Sequence, residues 1–211
     1  IEGTTINAAA VNATNNIFIN KDSEVLEQTL NITGDVSSNN FEAVAKTQTF
    51  GGTISVTNDF SCKGTQLNFA KAVTAKNMNL SGDEITFADK VTVNQDAQIQ
   101  NTGLLKISDF VYGKSFVQEG IGQVMISGSF EQSGESENPT ATFGSNVYFY
   151  NSSQNLSPIT IGSDKSYIEI KENLIIAKSK ENDVAIKGFV KSNNFALYSG
   201  NVDLSGKLEI D

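Results

Sequence analysis

The side chains that most often perform catalysis or bind metals are missing from this sequence. It contains no His and no Trp, and its 15 basic residues are all Lys. Because His is the usual general base and the commonest metal ligand, serine triads, Cys–His pairs and ordinary zinc sites are excluded within this chain. The lack of Arg and a formal net charge of −9 also argue against binding to nucleic acid.

Carboxylates are the remaining candidates for catalysis, since glycosidases need only two acids at a suitable separation. The candidate acids are Asp83 with Glu84, and Glu131, Glu135 and Glu137 in a polar stretch. The first two follow a Ser-Gly pair and have the character of a solvated turn, and the other three repel one another in a loop. We therefore predict no catalytic residue and no enzymatic activity.

Calcium is the metal that turn acids most readily bind, because it prefers carboxylate and carbonyl oxygens. Asp35, Asp59, Asp83 and Asp89 are such acids, but the sequence has neither an EF-hand loop nor an array of Gly- and Asp-rich nonapeptides. We expect solvated turn residues, and predict no metal site and no cofactor.

Cys62 is the only cysteine and has no partner for a disulfide within the chain. It occupies a position where other segments of the sequence have small apolar residues. We predict a small buried core residue and not a reactive thiol.

Tyr148, Phe149 and Tyr150 form the densest aromatic cluster in the sequence. If residue 149 points inward on a strand, its two neighbours point outward together. Aromatic side chains are good contact residues, so Tyr148 and Tyr150 are the predicted binding site, beside a loop over residues 151–158.

A nine-residue pattern recurs along the chain and predicts the elements that carry these residues. Apolar residues stand at the first, third and seventh positions, with Gly, Asn, Asp or Ser in most of the intervening bends. Alternate apolar residues indicate strands with one buried face, and the bends indicate corners. The copies begin at Leu30, Ile54, Leu67, Ile85, Leu105, Val124, Ala141, Ile168, Val184 and Val202.

The spacing of the copies predicts an all-β fold. From Leu67 onward the intervals are 18, 20, 19, 17, 27, 16 and 18 residues, with no helical segment between them. Such a period is typical of a single-stranded parallel β-helix, or β-solenoid, here of about ten rungs with an irregular N-terminal cap. In a stack of rungs, aligned Asn side chains can form ladders that add hydrogen bonds along the axis. An antiparallel β-sandwich is the alternative.

The domain organisation follows from where the pattern is regular. Residues 1–48 are predicted to form a strand and capping segment with short helices over 22–28 and 40–46, and residues 49–211 the solenoid. Two loops should leave the coil, at 131–140 and 151–158. The last copy is a complete rung, and two explanations are open: the chain is a piece of a longer protein, or subunits stack end to end. In the second case the predicted assembly surface is composed of Val202, Leu204, Leu208 and Ile210.

The runs 67–75 (LNFAKAVTA) and 85–93 (ITFADKVTV) resemble rungs of bacterial surface β-helices. These are filamentous-haemagglutinin-like and autotransporter-type adhesins and, more distantly, polymerising bactofilin-type solenoids. The resemblance implies a non-catalytic structural or adhesive module, extracellular or at the cell surface. The expected partners are other protein chains, through self-assembly or within a longer parent protein, or surface glycans. The residue types and the lack of a long apolar run predict no nucleic-acid partner and no membrane insertion.

Two other functions remain open at this point. The first is a fibre subunit that stacks through the open ends of its solenoid. The second is a carbohydrate-binding or carbohydrate-cleaving β-helix.

Overall fold

The computed structural model describes residues 5–20, 28–133, 136–150, 158–178, 183–199 and 201–211, and these form strands and no helix. In chain order the strands are β1 (Thr5–Ala8), β2 (Val11–Asn12), β3 (Asn16–Ile19), β4 (Thr29–Ile32), β5 (Val36–Ser38), β6 (Asn40–Val44), β7 (Thr47–Phe50), β8 (Ile54–Lys63), β9 (Gln66–Phe69), β10 (Val73–Gly82), β11 (Glu84–Phe87), β12 (Val91–Val93) and β13 (Asp96–Asn101). They continue with β14 (Leu104–Ile107), β15 (Phe110–Tyr112), β16 (Ser115–Glu119), β17 (Gln123–Ile126), β18 (Phe130–Gln132), β19 (Thr140–Phe143), β20 (Val147–Tyr150), β21 (Ile159–Ile161), β22 (Tyr167–Ala177), β23 (Asp183–Ile186), β24 (Phe189–Ser199), β25 (Asn201–Leu204) and β26 (Lys207–Ile210).

The strands stack as a β-solenoid in which each turn contributes one strand to each of three parallel ladders, and the described residues supply ten strands or half-strands to each ladder. Face I contains β1, β4, β7, β9, β11, β14, β17, β20 and the second halves of β22 and β24. Face II contains β2, β5, β12, β15, β18, β21, β23, β25 and the first halves of β8 and β10. Face III contains β3, β6, β13, β16, β19 and β26, the second halves of β8 and β10, and the first halves of β22 and β24. The predicted solenoid is confirmed, and the parallel register excludes an antiparallel sandwich.

The core lies between the faces and consists of the inward side chain of every second residue. Phe50, Phe69 and Phe87 occupy the same position on consecutive rungs of face I. Their ring centroids are 5.2 and 4.8 Å apart, and the rings are stacked. Cys62 is buried between Ala43 and Leu80, as predicted for a core residue. Desolvation raises the pKa of its thiol well above the ordinary value.

Polar side chains form ladders at the corners, as the abundance of Asn predicted. The Asn40 amide donates to Asn16 at 2.7 Å, and the Asn58 amide donates to Asn39 at 2.9 Å. Farther along the axis, the Asn194 amide donates to Asn173 at 2.8 Å. Such side-chain bonds join neighbouring rungs at and beside the corners, in addition to the strand pairing.

The nine-residue copies do not all mark the same part of a turn. Leu67, Ile85, Leu105 and Val124 stack directly on one another on face I. Ala141 instead lies on face III. Each copy covers two of the three strands of a turn, so the pattern matched different pairs of strands in different turns.

Two details of the predicted elements are wrong. Residues 40–44 of the predicted helix 40–46 form β6, because Phe41 and Ala43 point inward at strand spacing and pair with β3 and β8. The copy at Leu105 placed Val111 inward, but Phe110 and Tyr112 are buried there. The corner after β14 has two residues and not three, which shifts the next strand by one position.

The predicted loops are only partly described. Residues 131 and 132 belong to β18 and residue 140 to β19, so the connection there is shorter than predicted. Residues 151–157 and most of the predicted helix 22–28 lie outside the described residues. The ladders continue across residue 48, since β4 pairs with β7 and β5 with β8. The division of the chain into a cap and a solenoid domain stays a prediction.

Candidate contact surfaces

Tyr148 and Tyr150 lie on the outer side of β20, because Val147 and Phe149 fill the core positions. Both tyrosines are half-buried. Tyr148 is in register with Met125 on the rung before and Ile175 on the rung after. Tyr150 is in register with Ala177. Tyr148 therefore has apolar neighbours on both adjacent rungs, and Tyr150 has one on the rung after.

The outer row that contains Tyr148 changes character along face I. Its first six residues are polar: Asn7, Asn31, Thr49, Asn68, Thr86 and Lys106. The next four are apolar and half-buried: Met125, Tyr148, Ile175 and Ala196. We call these four residues, together with Tyr150, the apolar stripe. Partly exposed apolar surface of this kind, bordered by polar residues, is typical of protein contact sites.

A trough of about 530 Å³ runs across the outer side of face III. It spans four consecutive rungs, formed by β8, β10, β13 and β16. With a strand spacing of about 4.8 Å, its length along the axis is about 14 Å. The outward residues along its floor are Ser61, Asn79, Gln98 and Val117, and Glu119 lies at its far end.

One wall of the trough is a hydrogen-bonded row at the corner between faces II and III. The Asn77 amide donates to Asp59 at 2.8 Å, and the Ser115 hydroxyl donates to Asp96 at 2.6 Å. The Asp96 carboxylate also lies 3.6 Å from the Lys114 amine. These contacts fix the positions of the wall carboxylates before any ligand binds.

The floor of the trough is different, because its polar side chains are unpaired. Ser61, Asn79 and Gln98 make no side-chain hydrogen bond within the part of the chain that the structure describes. One hydroxyl and two amides therefore face the solvent on successive rungs, each able to donate and to accept.

The predicted assembly residues lie on the last rung. Val202 and Leu208 are partly buried against the core, whereas Leu204 and Ile210 retain 49% and 45% of their surface exposed. All four residues are in register with inward residues of the preceding rung. They therefore form the core of the last rung, and the preceding rung covers one side of it.

The candidate catalytic acids do not form one site. Asp83 accepts a hydrogen bond from the Thr102 hydroxyl at 2.6 Å, at the corner before β11. Glu131 is on the outer side of β18, on another face and in a later turn. Glu84 and Glu137 are exposed, and Glu135 lies outside the described residues.

Turn acids have structural roles at the corners. The hydroxyl and the backbone N–H of Thr53 both donate to Asp35 at 2.8 Å, and they lower the pKa of its carboxyl. Within the described ranges, no three acidic or Cys side chains are grouped closely enough to hold a metal ion.

Lys178 is a buried cation that the sequence pattern did not reveal. It follows β22 at the corner between faces I and II and is completely buried, and its amine donates to the carbonyl oxygen of Ser127. Desolvation lowers the pKa of this amine to about 8, while the negative charge of Asp109 acts in the opposite direction. A Lys beside a polar stretch is ordinarily solvated, so only the three-dimensional stacking identifies it.

Comparison of the chain with protein-family models, curated proteins and solved structures found no match. Among the described residues, no helix is long and apolar enough to span a membrane.

Proposed function

We propose that this chain is a non-catalytic structural and adhesive module of a microbial cell surface or appendage. The solenoid is the scaffold, and the outer side of face I contacts another protein. The apolar stripe is the observation that carries the proposal. Four consecutive apolar side chains replace polar ones in a single outer row, and two of the five Tyr residues lie in or beside them.

Two further features support an adhesive scaffold. Strand pairing and corner ladders connect each rung to the next, so the stripe is held on a rigid sheet. The rungs around 67–75 and 85–93 also resemble those of bacterial surface adhesins, which supports the extracellular or cell-surface location.

An adhesion assay on variants of the stripe tests the proposal. Beads that carry the chain are counted on wells coated with fibrinogen, gelatin or bacterial cell envelopes. Tyr148→Glu places a charge in the centre of the stripe and should reduce retention by about tenfold or more, because burying an unpaired charge at an interface costs more than 1.4 kcal/mol. Thr86→Glu is the matched control, since it is a half-buried position in the polar part of the same row.

Circular dichroism must show the same β content in both variants. Equal retention of the two variants, or no retention of the original chain on any surface, would contradict the proposal.

A second candidate function is a fibre subunit, and the last rung favours it. Leu204 and Ile210 are inward-row residues that remain about half exposed. A further rung, placed as the described rungs are placed, would cover them and would pair the edges of β25 and β26 that no described strand pairs.

A further inference from the structure

We propose that the trough on face III binds a neutral, hydroxyl-rich chain, namely a linear oligosaccharide. The inference is independent of the apolar stripe, which lies on another face of the solenoid. It depends on the shape of the trough, on the polar groups along it, and on the absence of free backbone groups in its floor.

The size and shape of the trough suit a short chain and not a compact ligand. Its volume of about 530 Å³ is in the range of small-molecule sites. It extends along the solenoid axis over four rungs, so equivalent groups repeat along its length at about 4.8 Å. A linear ligand that lies along the axis meets one outward side chain from each rung.

The polar groups suit hydroxyl groups as partners. Asn79 and Gln98 each present an amide that both donates and accepts, and the Ser61 hydroxyl does the same. The carboxylates of Asp59 and Asp96 accept hydrogen bonds and are already oriented by Asn77 and Ser115. A sugar hydroxyl can satisfy either kind of partner, because it is a donor and an acceptor.

The charge of the trough excludes anionic ligands. Three of its lining residues are acidic, namely Asp59, Asp96 and Glu119, and none is basic. The amine of Lys114, next to the trough, already lies 3.6 Å from the Asp96 carboxylate. Nucleic acids, uronic-acid polymers and sulfated glycans would therefore be repelled.

The strand pairing disfavours a peptide as the occupant. Each of β8, β10, β13 and β16 pairs with a strand on both sides, so the backbone groups of the floor are used along the axis. Peptides that bind sheets do so at an unpaired edge, where main-chain hydrogen bonds are free. Recognition in this trough depends on side chains alone, which favours a sugar.

Isothermal titration calorimetry of the whole chain tests the proposal, with neutral hexasaccharides of glucose and mannose as probes and a galacturonic-acid hexamer as the anionic control. A neutral hexasaccharide should bind with a stoichiometry of one. The side-chain amide signals of Asn79 and Gln98 should shift in NMR spectra during the same titration.

A steric variant locates the binding site. Gln98→Trp fills the middle of the trough and should weaken binding by about tenfold or more. Thr92→Trp is the control, because it is an outward position of the same turn on face II. Asn79→Ala should also weaken binding without adding bulk.

The proposal is overturned if no neutral hexasaccharide binds, if the anionic hexamer binds as tightly, or if Gln98→Trp and Thr92→Trp bind equally well. These outcomes do not bear on the apolar stripe, because Tyr148→Glu leaves the trough intact.

Discussion

The buried amine of Lys178 makes the stability of the fold depend on pH. Below pH 8 the amine is protonated in both folded and unfolded chains, and the folded state carries the cost of a buried charge. The folded pKa is about 8 and the ordinary value is 10.5, so between them the folded chain binds fewer protons. The free energy of unfolding should therefore rise with pH across this window, by about 1–3 kcal/mol.

Urea unfolding of the original chain and of Lys178→Met, followed at pH values from 7 to 10.5, measures this contribution. The substitution should stabilise the chain at pH 7 and should remove the increase in the free energy of unfolding between pH 8 and pH 10.5. Cys62 lowers the free energy of unfolding as pH rises, because its thiol ionises at lower pH in the unfolded chain than in the folded one. Both proteins contain Cys62, so its contribution cancels when their free energies of unfolding are subtracted. Lys165→Met, at an exposed position, should leave the rise unchanged. Identical pH profiles for Lys178→Met and the original chain would show that Lys178 does not cause it.

At the residue scale, sequence reasoning succeeded where the environment is set by alternation along one strand. Cys62 was predicted to be buried because its strand alternates, and the structure agrees. Lys178 was not predicted, because its burial depends on Ser127, which is two rungs away on the ladder of face I. A contact of this kind cannot be inferred from the residues that surround Lys178 in the sequence.

At the element scale, the corners are the parts of the rung most sensitive to substitution. Gly113 lies between β15 and β16, and a Cβ at this position would be 1.8 Å from the carbonyl oxygen of Asn94 on the neighbouring rung. The carbonyl of Gly113 also accepts a hydrogen bond of 2.9 Å from the buried Gln132 amide. The corner cannot move away without loss of that bond.

Gly113→Ala should therefore lower the free energy of unfolding by about 1–3 kcal/mol, the usual cost of overpacking. The measurement is the urea midpoint, with the slope checked for a change in two-state behaviour. Gly144→Ala is the matched control, because its added Cβ would approach no atom closer than 3.2 Å. A Gly113→Ala midpoint equal to that of Gly144→Ala would refute the close approach.

The strands were predicted better than the corners, for a physical reason. Inward alternation is a property of the strand itself, so Leu67 and Ile85 were placed correctly. The length of a corner varies from rung to rung, and the two-residue corner before Phe110 moved the whole of β15 by one position. The sequence pattern cannot distinguish the three faces, because all of them have the same alternation.

At the scale of the whole molecule, the period near 20 residues was enough to predict the solenoid, whereas neither contact surface could be delimited. The trough combines residues from 59 to 119 that become neighbours only when four rungs stack. The apolar stripe likewise combines Met125 with Ala196, 71 positions apart in the sequence. Only the pair Tyr148 and Tyr150, on one strand, was accessible to sequence reasoning.

The last rung leads to a prediction for the assembly of the 211-residue chain. The inward residues Leu204 and Ile210 lie on the rows that end at Val11 and Ile19 on the first rung. A second copy stacked head to tail would therefore place apolar residues against apolar residues and continue the parallel ladders.

We expect sedimentation to show end-to-end oligomers as the concentration of the chain rises, and electron microscopy to show rods whose lengths are multiples of the monomer. Leu204→Lys should abolish this association, because it places an unpaired charge in the new core. Asn201→Lys, an exposed position on the same strand β25, should not. A chain that stays monomeric at every concentration, or a Leu204→Lys variant that associates like Asn201→Lys, would exclude stacking through this rung and leave the outer faces as the surfaces through which the molecule acts.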